Sequence, residues 1–174
     1  TNIKTHFLTW LELEGAIAYR VQVWQPDASG VQLLDQAIPT TSYAYEFPEG
    51  DFTWQVRGET SSKNTAFSAR MLTVDATSPN TPSLDVPADN SSSTVNTSIN
   101  FTWNRADITG TPERDSIYFY SEVNLQTLVH KNIGASKQYT KNDFSAGAYY
   151  WFVKAFDTAG NESQSSVIRK LTVN

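Results

Sequence analysis

The chain of 174 residues contains no cysteine, one methionine and two histidines. Without cysteine there is no disulfide framework, no thiol nucleophile and no cysteine-based metal site, so stability must come from apolar burial. Positive charge is short as well, at 13 Lys and Arg against 18 Asp and Glu, for a net charge of −5 and a pI near 4.9. That balance lacks the basic footprint a phosphate backbone requires, and no nucleic-acid partner is expected. No run of 18 apolar residues occurs, so no membrane-spanning helix is expected. The first residues have neither the charged opening nor the apolar stretch of a signal peptide, and the start at Thr1 without Met reads as a mature or excised fragment of something longer. Nowhere do apolar residues recur at a 3.6 period over three turns, which argues against long helices.

What the chain does have is aromatic residues, at 13%, set among Thr, Ser and Asn. The stretch that organises the rest is GAYYWFVKAFD at 147–157, echoed in dilute form by GDFTWQVRGET at 50–60. A side-chain period of two places Tyr149, Trp151, Val153 and Ala155 on one face of an extended strand. Phe52, Trp54, Val56 and Gly58 hold the same parity in the earlier copy. The opposite parity is Tyr150, Phe152, Lys154 and Phe156 in one copy and Thr53, Gln55, Arg57 and Glu59 in the other. The first face therefore reads as a shared core and the second as a surface that differs between copies.

The echo extends along the whole chain. LTW at 8–10 returns as FTW at 101–103, Val21 and Val23 as Ile117 and Phe119, Tyr43 as Tyr139, Trp54 as Trp151, and LTVD at 72–75 as LTVN at 171–174. Segments that repeat in the same order, with offsets drifting only by small insertions, predict two tandem modules, 1–75 and 76–174. DATSPNTP at 75–82, stiffened by Pro79 and Pro82, predicts a short linker and a rod with a modest hinge. Strands are predicted at 6–12, 18–24, 31–36, 41–46, 51–59 and 66–74, then at 83–86, 99–104, 115–121, 126–131, 137–141, 148–156 and 165–173. Short strands at this spacing, separated by Gly, Pro and Asn turns, predict an all-β fold of two antiparallel Greek-key sandwiches. The first module lacks a proper opening strand, and its incomplete edge is expected to invite pairing with a neighbouring chain. Trp10, Trp54, Trp103 and Trp151 are expected as the main core members, each contributing roughly 2 to 3 kcal/mol.

With a Trp in the second strand of each repeat (Trp10, Trp103), the run Tyr149-x-Trp151-x-Val153-x-Ala155, the DTAGNES loop at 157–163 and a last strand ending KLTV, the chain resembles fibronectin type III and related immunoglobulin-like modules. The resemblance covers both repeats. It implies that Tyr149 holds the tyrosine-corner position, which Phe52 occupies without a hydroxyl. It further implies a surface, periplasmic or secreted bacterial protein, of Bacteroidetes type by its Asn, Thr and Ser content. The function so implied is noncatalytic: a structural, adhesion or protein-interaction module of a larger extracytoplasmic protein. The alternative is an accessory carbohydrate-binding segment of a polysaccharide-processing enzyme.

The residues supply little for catalysis. His6 and His130 stand at non-equivalent places and are read as surface groups, and no nucleophile elbow, phosphate loop or metal-type histidine spacing occurs. Glu12 with Glu14, and Glu46, Glu49 and Asp51, are read as solvated strand ends. No catalytic, cofactor or metal site is assigned. Calcium is the one inorganic candidate, with Asp75, Asn80, Asp157, Asn161 and Glu162 as donors, weighed against loops that use Asp and Asn for turn geometry. The strongest functional feature is the outer face of the second module, where Tyr118, Tyr120, Tyr150, Phe152 and Phe156 are predicted to share two adjacent strands. An aromatic patch of this kind is a candidate interface with a neighbouring domain or another surface protein, with polysaccharide the further option.

Overall fold

The structure, a computed structural model, describes residues 1–134 and 136–174, and it is all strand, with no helix among the described residues. The chain divides into two compact units, Thr1–Ala76 and Thr77–Asn174. In the first unit, β1 (Thr5–Thr9) pairs with β4 (Ser42–Glu46) in one sheet. The facing sheet runs β3 (Val31–Ile38), β2 (Ala18–Gln25), β5 (Gly50–Glu59), β6 (Ser68–Val74).

The second unit has a three-stranded sheet of β12 (Gln138–Lys141), β9 (Ile99–Asn104) and β7 (Ser83–Val86). Its partner sheet runs β11 (Leu128–Gly134), β10 (Glu113–Tyr120), β13 (Gly147–Asp157), β14 (Arg169–Val173) and β8 (Ser91–Ser93), with β8 added in parallel.

Period-two alternation explains why these residues form these strands. Along β13 every second residue from Tyr149 to Asp157 is buried, and β9 buries Ile99, Phe101 and Trp103. Between the sheets of the second unit Phe101 packs edge-on against Trp151 and Phe119, with ring centroids 5.0 and 4.9 Å apart. The first unit packs Phe47 at a tilt against Phe52 at 5.1 Å, a pair that returns as Phe144 against Tyr149 at 4.7 Å. Tyr149 Oη donates to the Ser145 carbonyl at 2.9 Å, the corner bond that Phe52 cannot make.

Three expectations need correction. The second unit has β8 besides the predicted strands; a Ser-only segment carries no hydrophobic alternation to reveal it. The last strand begins at Arg169 rather than at 165, because Ser163 Oγ and Ser166 Oγ themselves accept the Ala155 and Val153 N–H groups at 2.9 and 3.0 Å. Trp103 and Trp151 are buried as predicted, but Trp10 and Trp54 are only half-buried beside the first core.

Candidate functional site

The predicted aromatic residues come together on the outer face of the second unit. β10 and β13 run antiparallel with Tyr118 opposite Phe152, Tyr120 opposite Tyr150, and Arg114 opposite Phe156. Ile117, Phe119, Trp151 and Val153 turn inward and are buried, which forces their neighbours outward. All five aromatics of the patch are half-buried. Tyr118 and Phe152 lie parallel with centroids 4.9 Å apart, and Tyr120 stacks on Phe152 at 6.0 Å.

Lys131, on β11, was not foreseen in this site. Its Nζ stands 4.8 Å from the Tyr118 ring centre and 5.7 Å from that of Phe156, within cation–π reach. Tyr118 is thus flanked by Phe152 on one neighbouring strand and by Lys131 on the other. The period-two argument placed Tyr118 on this face and, had the register of β11 been known, would have placed Lys131 opposite it.

The equivalent face of the first unit closes on itself. Arg20 donates to Asp35 at 2.7 Å and to Glu59 at 2.9 Å, Arg57 also donates to Glu59, and Gln55 donates to Gln22. The bond from Arg20 holds the Asp35 carboxyl below its ordinary range, and the bonds from Arg20 and then Arg57 do the same for Glu59. The charged and amide side chains there find partners on the same sheet, whereas the indole N–H of Trp24 on that face is buried with no hydrogen-bond partner among the described residues.

Other candidates are placed by their partners. His6 Nε2 contacts the Ile3 carbonyl at 2.7 Å near the surface. His130 is not the surface group expected: it is half-buried, stacks on Tyr139 with centroids 5.5 Å apart, and its Nε2 lies 2.6 Å from Tyr139 Oη. Burial, reinforced by the nearby Lys141 charge, holds its imidazole below the usual 6.5. Glu12, Glu14 and Glu46 are exposed, Glu49 lies 3.6 Å from Lys4, and Asp51 accepts from Thr73.

Of the calcium candidates, Asp157 is buried and shapes the turn after β13. Its Oδ1 accepts the Gly160 and Asn161 N–H groups at 2.8 Å, and its Oδ2 accepts Asn161 Nδ2 at 2.7 Å. Asn80 donates to the Ala106 carbonyl, and Glu162 is paired with Lys154. Among the described residues no group of three or more His, Asp or Glu is gathered as a metal site would require.

A buried ionic cluster escaped sequence reasoning. Arg105, with its side chain 2% exposed, donates from Nε to Asp115 at 2.8 Å and pairs with Glu113 and Asp107. Asp115 also accepts Trp103 Nε1 at 2.8 Å. The repeat gave no signal for it, because the first unit has Glu12 and Tyr19 in the places of Arg105 and Asp115.

No protein-family model matches the chain, and no curated protein matches it. Solved structures do. The crystal structure of chicken CNTN1 FN1-FN3 domains superposes with a TM-score of 0.61 at 15% identity, covering 98% of this chain and 62% of that one. The fibronectin(III)-like modules of Clostridium thermocellum CbhA superpose with a TM-score of 0.60 at 14% identity, covering 98% and 86%. At such identity the likeness speaks for the fold, a tandem of fibronectin type III-like sandwiches.

Proposed function

We propose that the chain is a noncatalytic interaction segment of a larger extracytoplasmic bacterial protein, on the cell surface, in the periplasm or secreted. The outer face of β10 and β13 is where it meets a neighbouring domain or another surface protein. The observation that carries this reading is the contrast between equivalent faces: the first unit pairs its charged side chains within the sheet, whereas the second presents five half-buried aromatics, three of which, Tyr118, Phe152 and Tyr120, form a stacked ladder. Aromatic rings held rigidly by their neighbours offer large contact area at little entropic cost, the usual anchor of a protein interface. A sugar would need a bare ring face, and Tyr118 has Phe152 and Lys131 on either side.

Hydroxyl-radical footprinting tests the reading. Tyr118, Tyr120, Tyr150 and Phe152 are expected to be modified in the purified chain and protected in the natural protein on its cells. Equal modification in both would remove the interface. In parallel, soluble polysaccharides are titrated against tryptophan fluorescence. A saturable response lost in both Tyr118→Ala and Tyr150→Ala would replace the protein partner by a carbohydrate.

A further inference from the structure

The aromatic face of the second unit also collects that unit's unpaired positive charge. Arg105 pairs with Asp107, Glu113 and Asp115, Lys137 with Asp107, Lys141 with Asp143 and Lys154 with Glu162. Arg169 donates to the carbonyls of Leu84, Asp85 and Pro87. Arg114, Lys131 and Lys170 are left with no carboxylate partner among the described residues. All three belong to the outer face, because each is the cross-strand partner of a ring in the patch: Arg114 of Phe156, Lys131 of Tyr118 and Lys170 of Tyr150. On the equivalent face of the first unit Arg20 and Arg57 are neutralised by Asp35 and Glu59. A chain with a net charge of −5 thus carries a local surplus of positive charge on one sheet face.

The rings reinforce that charge. An aromatic ring is negative over its faces and positive at its edge. Phe152 lies parallel to Tyr118 on the adjacent strand with centroids 4.9 Å apart, about the distance between neighbouring strands, so the two rings stand upright on the sheet and turn their edges outwards. Tyr120 continues the stack. The hydroxyls of Tyr118, Tyr120 and Tyr150 have no acceptor among the described residues, which leaves them free to donate to an anion. Beside the rings, Leu128 and Ile133 of β11 are exposed opposite Tyr120 and Ser116, so the same face offers aliphatic surface as well.

We propose that this face binds an extended acidic segment of another polypeptide, its carboxylates set against Arg114, Lys131 and Lys170 and its apolar side chains against the ring edges, Leu128 and Ile133. The proposal rests on reading the face as a protein interface and adds the chemistry of the partner. From the Arg114–Phe156 pair to the Tyr150–Lys170 pair β13 advances by six residues, about 20 Å of strand, which a segment of comparable length spans. Opposite potentials across an interface fix register and speed association. A nucleic acid would lay its bases on bare ring faces, and here the faces of Tyr118 and Phe152 are turned to each other.

The test follows the fluorescence anisotropy of a labelled random copolymer of glutamate and tyrosine, titrated with the whole chain in about 0.1 M salt, where exposed charges are only partly screened. Saturable binding is expected, weakening as salt is raised and falling roughly tenfold or more in Arg114→Gln/Lys131→Gln/Lys170→Gln. Lys63→Gln/Arg70→Gln, which removes exposed cations of the first unit, should bind as the parent does. Should the triple variant unfold, the single variants Arg114→Gln and Lys170→Gln serve, each weakening binding by a smaller step. The proposal is overturned if the copolymer does not bind, or if the triple variant, or both single variants, hold it as tightly as the parent. It is equally overturned if oligothymidylate or polygalacturonate binds more tightly through the same cations, which would give the face to a nucleic acid or an acidic polysaccharide. Footprinting on cells separates the partner's chemistry from the interface itself. Tyr118 protected in the parent and released in the triple variant supports the proposal, protection in both leaves an interface without an acidic partner, and no protection in the parent removes both readings.

Discussion

Trp10 and Trp103 occupy the same place in the repeat, yet their indoles meet different surroundings. Trp103 Nε1 donates to a carboxylate that is 1% exposed and that also accepts from Arg105, whereas Trp10 Nε1 has no acceptor among the described residues. A hydrogen bond to a buried charge contributes about 1.5 to 3 kcal/mol. Trp103→Phe should therefore cost at least that much, while Trp10→Phe should cost clearly less; urea unfolding of the two variants decides, and equal losses would contradict the assignment. His130 adds a pH dependence. Because burial lowers its folded pKa, the unfolded chain takes up the proton first as pH falls. Its contribution is complete above the usual 6.5 and is lost as pH drops from there through the folded value. Parent protein should lose stability between pH 7.5 and 5.5 faster than His130→Gln, and parallel slopes would show that the imidazole is not the sensor. Neither the Asp115 cluster nor the burial of His130 was legible in the sequence: period-two reading assigns a face to a residue, but not the partner that crosses to it from another strand.

Elements were far more legible than partners. Strands at 83–86 and 99–104 fall where alternation put them, and the others differ by a few residues at their ends. The misses have one physical origin. β8 and the segment before β14 are rich in serine, whose hydroxyls bond to the backbone without contributing to an apolar face. Hydrophobic periodicity registers burial, so a segment held by hydroxyl-to-backbone bonds is invisible to it. The aromatic ladder was legible for the opposite reason: with the inward parity of β10 and β13 fixed by Ile117, Phe119, Trp151 and Val153, only one side remained for the other residues. The same logic failed for Lys131 because the register of β11 includes a bulge between Phe119 and Tyr120 that no local pattern announces.

At the scale of the molecule the repeat is the informative quantity, since it lets one unit serve as the reference for the other. The second core joins strands from both its sheets around Trp151, Phe101 and Phe119, all fully buried, with Leu84 of the opening strand sealing it. In the first unit the same positions leave Trp10, Trp54 and Leu72 half-buried. Apolar burial contributes about 25 cal/mol per Å², so the first unit starts from the smaller store and should unfold at lower urea. Hydrogen exchange followed by mass spectrometry along a urea series assigns each transition to its own peptides. Trp151→Ala then isolates the second unit: removing a fully buried indole should cost about 3 to 5 kcal/mol and shift only the transition of residues 77–174. A loss below about 1 kcal/mol, or an equal shift in the peptides of residues 1–76, would mean that the indole does not anchor a core belonging to one unit alone.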